Sequence, residues 1–116
     1  MENRPVAYCG GAVLFLVYIA AMSKVFLFVE IDVKPDQIET FIAKLIQQAE
    51  VIRGESGCES IEVFKNDAHD NLIHVWEIWS DKAAWDHHMA NDSSQAWQIV
   101  ASEFVVGEKI TVMSKP

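Results

Sequence analysis

The chain has 116 residues, 51% of them hydrophobic, which suits one domain with a real core and is too short for two. Seventeen acidic residues against nine Lys and Arg give a formal charge of -8, and the basic residues are scattered. That balance argues against a nucleic-acid or anionic-membrane surface, where phosphates must be met by clustered cations.

Ala12 to Met22 is an uncharged apolar run of about eleven residues, well short of the roughly 20 that span a bilayer. Residues 1–22 are therefore set apart as an apolar N-terminal extension. A dispensable extension, an extra packed element and a signal-peptide core with Ala20 and Ala21 near a cleavage point all remain open. Met22, Ser23 and Lys24 also read as a natural chain start, so 23–116 is taken as the folded domain. Cys9 and Cys58 have neither CxxC spacing nor a matching His motif, which points to a reducing, cytoplasmic setting without a disulfide framework.

The first strand, Val25 to Val33, places Val25, Leu27, Val29, Ile31 and Val33 on one face. Phe26 and Phe28 make the start of the other face apolar too, so both faces need cover. Pro35 and Asp36 open a helix in which Ile38, Phe41, Ile42, Leu45, Ala49 and Ile52 recur at helical spacing, and Gly54 stops it. Glu55, Ser56 and Gly57 turn the chain into a second strand, Cys58 to Lys65, and a polar link from Asn66 to Asn71 leads to a third.

That third strand, Leu72 to Trp79, begins the stretch richest in chemistry. Leu72, His74, Trp76 and Ile78 alternate with Ile73, Val75, Glu77 and Trp79. Ser80 or Asp81 can cap a following helix with Ala84, Trp85, His88 and Met89 on one face, and His87 about 100° away from His88. Asn91 to Ser94 recap a further helix carrying Ala96, Trp97, Val100, Ala101 and Phe104, which Gly107 is expected to end. Ile110 and Val112 alternate with Lys109 and Thr111 in a last strand.

The order β-α-β-β-α-α-β is the split βαβ, ferredoxin-like arrangement of the α+β class, an antiparallel sheet with helices on one face. Apolar residues left on the other face are most simply covered by an identical subunit, so a homodimer is expected.

The phrases VEIDVKPDQIETF, ESGC and EIWSDKAAW, followed by a His nine residues after Trp79, resemble the antibiotic biosynthesis monooxygenase family from Ser23 to about Val112. The resemblance implies a dimeric α+β barrel with a pocket between helices and sheet. In several members that pocket supports cofactor-free oxidation of quinols, anthrones or phenols by dioxygen. The family's pocket Trp and His correspond to Trp79 and His88, expected here as catalytic residues. Phe26, Phe28, Glu77 and Trp85 are expected to contact substrate. Haem-degrading relatives use an Asn in the first strand, and 24–34 contains none. Ser93 and Ser94 stand where a second family His often falls.

Each of these residues also has a plainer role. An imidazole titrates near neutral pH and could take a phenolic proton, yet a helical His is as often structural. His74 could be a satisfied core or interface residue. Trp79 could donate its indole N–H to a substrate oxygen or simply fill the core. Glu77 on an apolar face needs a hydrogen bond, for which Arg53 is one partner, and Cys58 is expected as a small buried hydrophobe. No metal site and no cofactor are expected, since His87 and His88 diverge on their helix. The function expected is a monooxygenase-like enzyme. Its alternatives are a non-catalytic dimeric small-ligand-binding protein, or an isomerase of a small carbonyl or phosphosugar-derived compound; the latter should place Lys or Arg at the pocket mouth.

Overall fold

Strict alternation makes β1 (Val25–Val33) the centre of the sheet: Val25, Leu27, Val29, Ile31 and Val33 are all buried under the helices. The computed structural model describes residues 23–116, and the readings made for 1–22 lie outside them. β1 is flanked by β3 (Leu72–Trp79) and β4 (Val105–Met113), and β2 (Cys58–Lys65) closes the other edge beyond β3. The order β2-β3-β1-β4, antiparallel throughout, is the ferredoxin-like sheet. Three helices complete it: α1 (Ile38–Arg53), α2 (Lys82–Ala90) and α3 (Asp92–Ala101).

The stripe on α1 buries Phe41, Leu45, Ala49 and Ile52 against the sheet. Each large side chain so buried contributes roughly 1.5–3 kcal/mol. Phe41 joins the layers, its ring 5.8 Å from Trp97 of α3 and 5.9 Å from Phe104. Arg53 at the end of α1 donates to the carbonyl of Ile61, tying the helix to β2. Pro35 lies in a short 3-10 turn, Pro35–Gln37, that precedes α1.

Gly54 stops α1 as expected, whereas the expectation for Gly107 is corrected. Gly54 ends α1 with ordinary right-handed dihedrals, whereas the left-handed residue is Gly57, at φ 86°. Gly107 does not end α3, which stops at Ala101; it lies within β4 opposite Asp32, beside the point where the β1–β4 register shifts. The chain leaves α3 through a turn in which the Phe104 amide bonds the carbonyl of Ala101, so no glycine is needed there. Asp81 rather than Ser80 caps α2, accepting from the Ala84 amide at 2.8 Å, and Asn91 caps α3 through the Ser94 amide at 2.8 Å. Among the described residues no helix is long and apolar enough to cross a membrane.

Candidate active site

Parity on β3 turns Ile73, Val75, Glu77 and Trp79 toward the helices, and α2 lays His88 over them. The His88 ring stacks on the fully buried Trp79, centroids 4.7 Å apart and 28° between planes. The Trp79 indole N–H donates to Glu77 Oε1 at 2.8 Å. Glu77 therefore finds its partner two residues along the same strand face, and the expectation of Arg53 is corrected: Arg53 pairs with Glu50 and Ile61 instead. The suggestion that the same indole N–H serves a substrate oxygen is corrected as well, since Glu77 takes it and Trp79 has no exposed surface.

His88 is held from its other side by a residue that periodicity does not single out. Glu55, in the turn after α1, places Oε1 2.9 Å from His88 Nδ1, and both side chains are largely buried. An ionised carboxylate can only accept, so a Glu55 carboxylate requires the hydrogen on Nδ1, and in the neutral imidazole Nε2 then keeps its lone pair. Ser94 Oγ lies 3.3 Å from the same Nδ1, and Asn91 donates its amide N–H to Glu55 Oε1 at 3.2 Å. Glu55 Oε2 is buried without a protein partner among the described residues.

Gly57 makes this contact possible. Its carbonyl accepts from the Ser80 amide at 2.8 Å, and a Cβ there would meet the Ala84 Cβ at 2.4 Å. The turn carrying Glu55 thus lies directly against the first turn of α2, the helix that carries His88. The sequence does hold a signal for Glu55, its place in the ESGC phrase, but nothing in the spacing links it to a His 33 residues away.

Beside this group lies a cavity of about 430 Å³, within the range of small-molecule sites. Leu27, Val29 and Val75 floor it, Phe41 and Leu45 of α1 form one wall, and Trp85, His88 and Trp97 another. Met89, Gln98 and Ser102 lie at its solvent side. Because Glu55 engages Nδ1, Nε2 is the imidazole nitrogen left for a ligand. Burial holds the Glu77 carboxyl above its ordinary value of 4.5, opposed by the Trp79 hydrogen bond and the nearby His88. Burial likewise pushes the Cys58 thiol up, with the Glu77 and Glu55 charges adding to it, which leaves Cys58 a poor nucleophile.

Of the residues expected at the site, His88, Glu77 and Trp85 line the cavity, and Trp79 backs it without reaching its surface. Phe26 and Phe28 do not belong there, which corrects the expectation that they contact substrate. They alternate with the buried residues of β1 and emerge on the far side of the sheet, where Phe28 stacks on His74 at 5.2 Å and Phe26 lies 6.4 Å from Trp76. His74 Nε2 accepts from Asn66 Nδ2 at 2.9 Å, well removed from the cavity. His87 is exposed. Among the described residues no three His, Cys, Asp or Glu side chains gather in a metal-holding group.

The family model for antibiotic biosynthesis monooxygenase matches residues 24–99. The chain belongs to that family. An uncharacterized Synechocystis protein, sll1783, is 40% identical over 58 residues, a segment covering 50% of this chain and 40% of that protein. The matched segment thus spans less than half of that relative. Among solved structures, PA3566 from Pseudomonas aeruginosa superposes with a TM-score of 0.76 at 19% identity, covering 83% of this chain and 97% of that one. SO0527 from Shewanella oneidensis gives 0.75 at 23% identity, over 81% and 92% of the two chains. A proposed antibiotic biosynthesis monooxygenase from Nitrosomonas europaea gives 0.76 at 14%, over 80% and 90%. At these identities the structural likenesses establish the shared fold, and the family match covers the strand, turn and helix that hold Glu55, Glu77, Trp79 and His88.

Proposed function

We propose that this antibiotic biosynthesis monooxygenase family member oxidises a small quinol, phenol or anthrone with dioxygen and without a cofactor. The observation that carries the reading is the Glu55–His88 pair at the wall of an apolar cavity. A carboxylate on Nδ1 fixes the tautomer in which Nε2 is basic, the arrangement that general-base catalysis by imidazole requires. In this scheme His88 Nε2 takes the proton of a substrate hydroxyl or activated methylene. The resulting electron-rich anion then reduces dioxygen; in an anthrone-type substrate one oxygen atom enters the carbon and the other leaves as water with the two hydrogens removed. Trp79 keeps the imidazole in plane from behind, while Trp85, Trp97 and Phe41 hold a flat substrate and exclude water.

The lining disfavours the phosphosugar isomerase alternative, since it contains neither Lys nor Arg to meet a phosphate. A homodimer is part of the same proposal, supported by the aromatic outer face of the sheet around Phe28, His74 and Trp76. So is a reducing, cytoplasmic setting, in keeping with the free Cys58 thiol.

Turnover of anthrones and hydroquinones under isotopically heavy dioxygen tests the oxidation. An anthrone product carrying one heavy oxygen atom, formed faster than in protein-free buffer, is the expected result. Oxidation no faster than the spontaneous rate across the panel would leave a binding protein.

A further inference from the structure

Glu77 and Glu108 are the carboxylates in the cavity lining, and no Lys or Arg stands among the lining residues to offset them. Glu77 is nine-tenths buried; Oε1 accepts from Trp79, and Oε2 has no protein donor among the described residues. Glu108 comes from the edge strand. Its pairing with Ile31 turns it to the helix side of β4, where it is exposed at the cavity rim. The two are within electrostatic reach, as Glu108 helps to hold the Glu77 carboxyl up, after the larger effect of burial. His88 counters this in part, acting on Glu77 in the opposite sense, while Glu55 faces its Nδ1.

A ligand bearing its own negative charge would meet the Glu108 carboxylate at the solvent-facing rim and the buried Glu77 carboxyl inside. An uncharged dihydroxy-aromatic meets neither problem: one hydroxyl can donate to Glu77 Oε2 while another faces His88 Nε2. We propose that Glu77 and Glu108 make the cavity select by charge, admitting uncharged hydroxy-aromatics and rejecting their carboxylate-, sulfonate- or phosphate-bearing counterparts, with Glu108 setting the bias at the rim. The inference rests on the reading of this cavity as the substrate site, and it is separable from whether oxidation occurs there.

Calorimetric titration with methylhydroquinone and with 2,5-dihydroxybenzoate, at a pH where the latter is anionic, tests it on the full-length chain and on Glu108→Gln and Glu108→Lys. Glu108 is exposed, so both variants should fold, which circular dichroism checks. The wild type is expected to bind the uncharged ligand on the order of tenfold more tightly than the anion, a gap that like charges across a partly desolvated space can supply. Glu108→Gln should narrow the ratio severalfold, Glu108→Lys should close or invert it, and added salt should narrow it in the wild type. Equal wild-type affinities, a ratio unmoved by both substitutions, or no binding of the uncharged ligand would each overturn the proposal. Oxygen uptake by the same samples reports separately: charge-selective binding without uptake ends the oxidation reading and leaves the selectivity standing.

Discussion

His88 can serve as a base only if one of its nitrogens is kept free, and Glu55 determines which. The neighbouring Glu77 is the opposite case, a carboxyl that burial keeps above its ordinary value of 4.5. A carboxyl whose folded value is raised favours the folded state while protonated. That contribution is complete below 4.5 and is lost as pH rises through the raised value. Glu77→Gln keeps an oxygen for the Trp79 N–H and removes the buried charge. Its melting temperature should therefore exceed that of the wild type at alkaline pH, with the difference shrinking as pH falls toward 4.5. A difference independent of pH would mean that Glu77 does not titrate in the folded protein. Trp79→Phe removes the donor to Glu77 and part of the surface behind His88. It should lower turnover through orientation, with the pH dependence of activity less altered than its magnitude.

At the level of elements, the turn from α1 into β2 sets the distance between Glu55 and His88. Gly57→Ala introduces a side chain at positive φ against Ala84, a left-handed backbone cost of about 1–2 kcal/mol before the clash is counted. The melting temperature should fall by at least about 4 °C, and activity in the folded fraction should fall as well, because the turn moves relative to α2. Unchanged stability would contradict the close packing of turn and helix. Most of the element pattern was legible in the chain: the alternation in β1 and β3, the stripe on α1 and the Asn91 recap all lie where local periodicity puts them. Gly107 was not legible, because a glycine inside an edge strand and one ending a helix look alike without the register. Phe26 and Phe28 failed for a related reason. Parity separates the two faces of β1 but does not say which aromatic side chains meet a ligand when both faces are apolar. Glu55 was hidden because its role depends on two turns meeting in space.

Across the whole molecule, the helix layer covers one side of the sheet and leaves Phe28, His74, Trp76 and the half-exposed Phe64 on the other. Face-to-face packing of two such sheets would bury them. Sedimentation should then give about twice the 13.1 kDa chain mass, and Trp76→Glu should shift the species toward monomer. A wild type that stays monomeric at micromolar concentration would refute the dimer. Haem titration should give no sharp stoichiometric Soret shift, in line with a β1 that contains no Asn; tight one-to-one binding with reductant-dependent ring opening would contradict that.

The central claim is that His88, held by Glu55, removes the substrate proton. Its most direct test is oxygen uptake with an active quinol or anthrone, compared among wild type, His88→Ala and Glu55→Gln from about pH 5 to about pH 9. Wild-type turnover should fall on acidification, since only neutral imidazole accepts a proton. His88→Ala should lose about 10² to 10⁴ in rate and this pH dependence. Glu55→Gln, which keeps the shape but not the charge, should show an intermediate loss in kcat and an altered pH profile with KM little changed. If His88→Ala retains wild-type turnover and pH dependence, His88 is not the base.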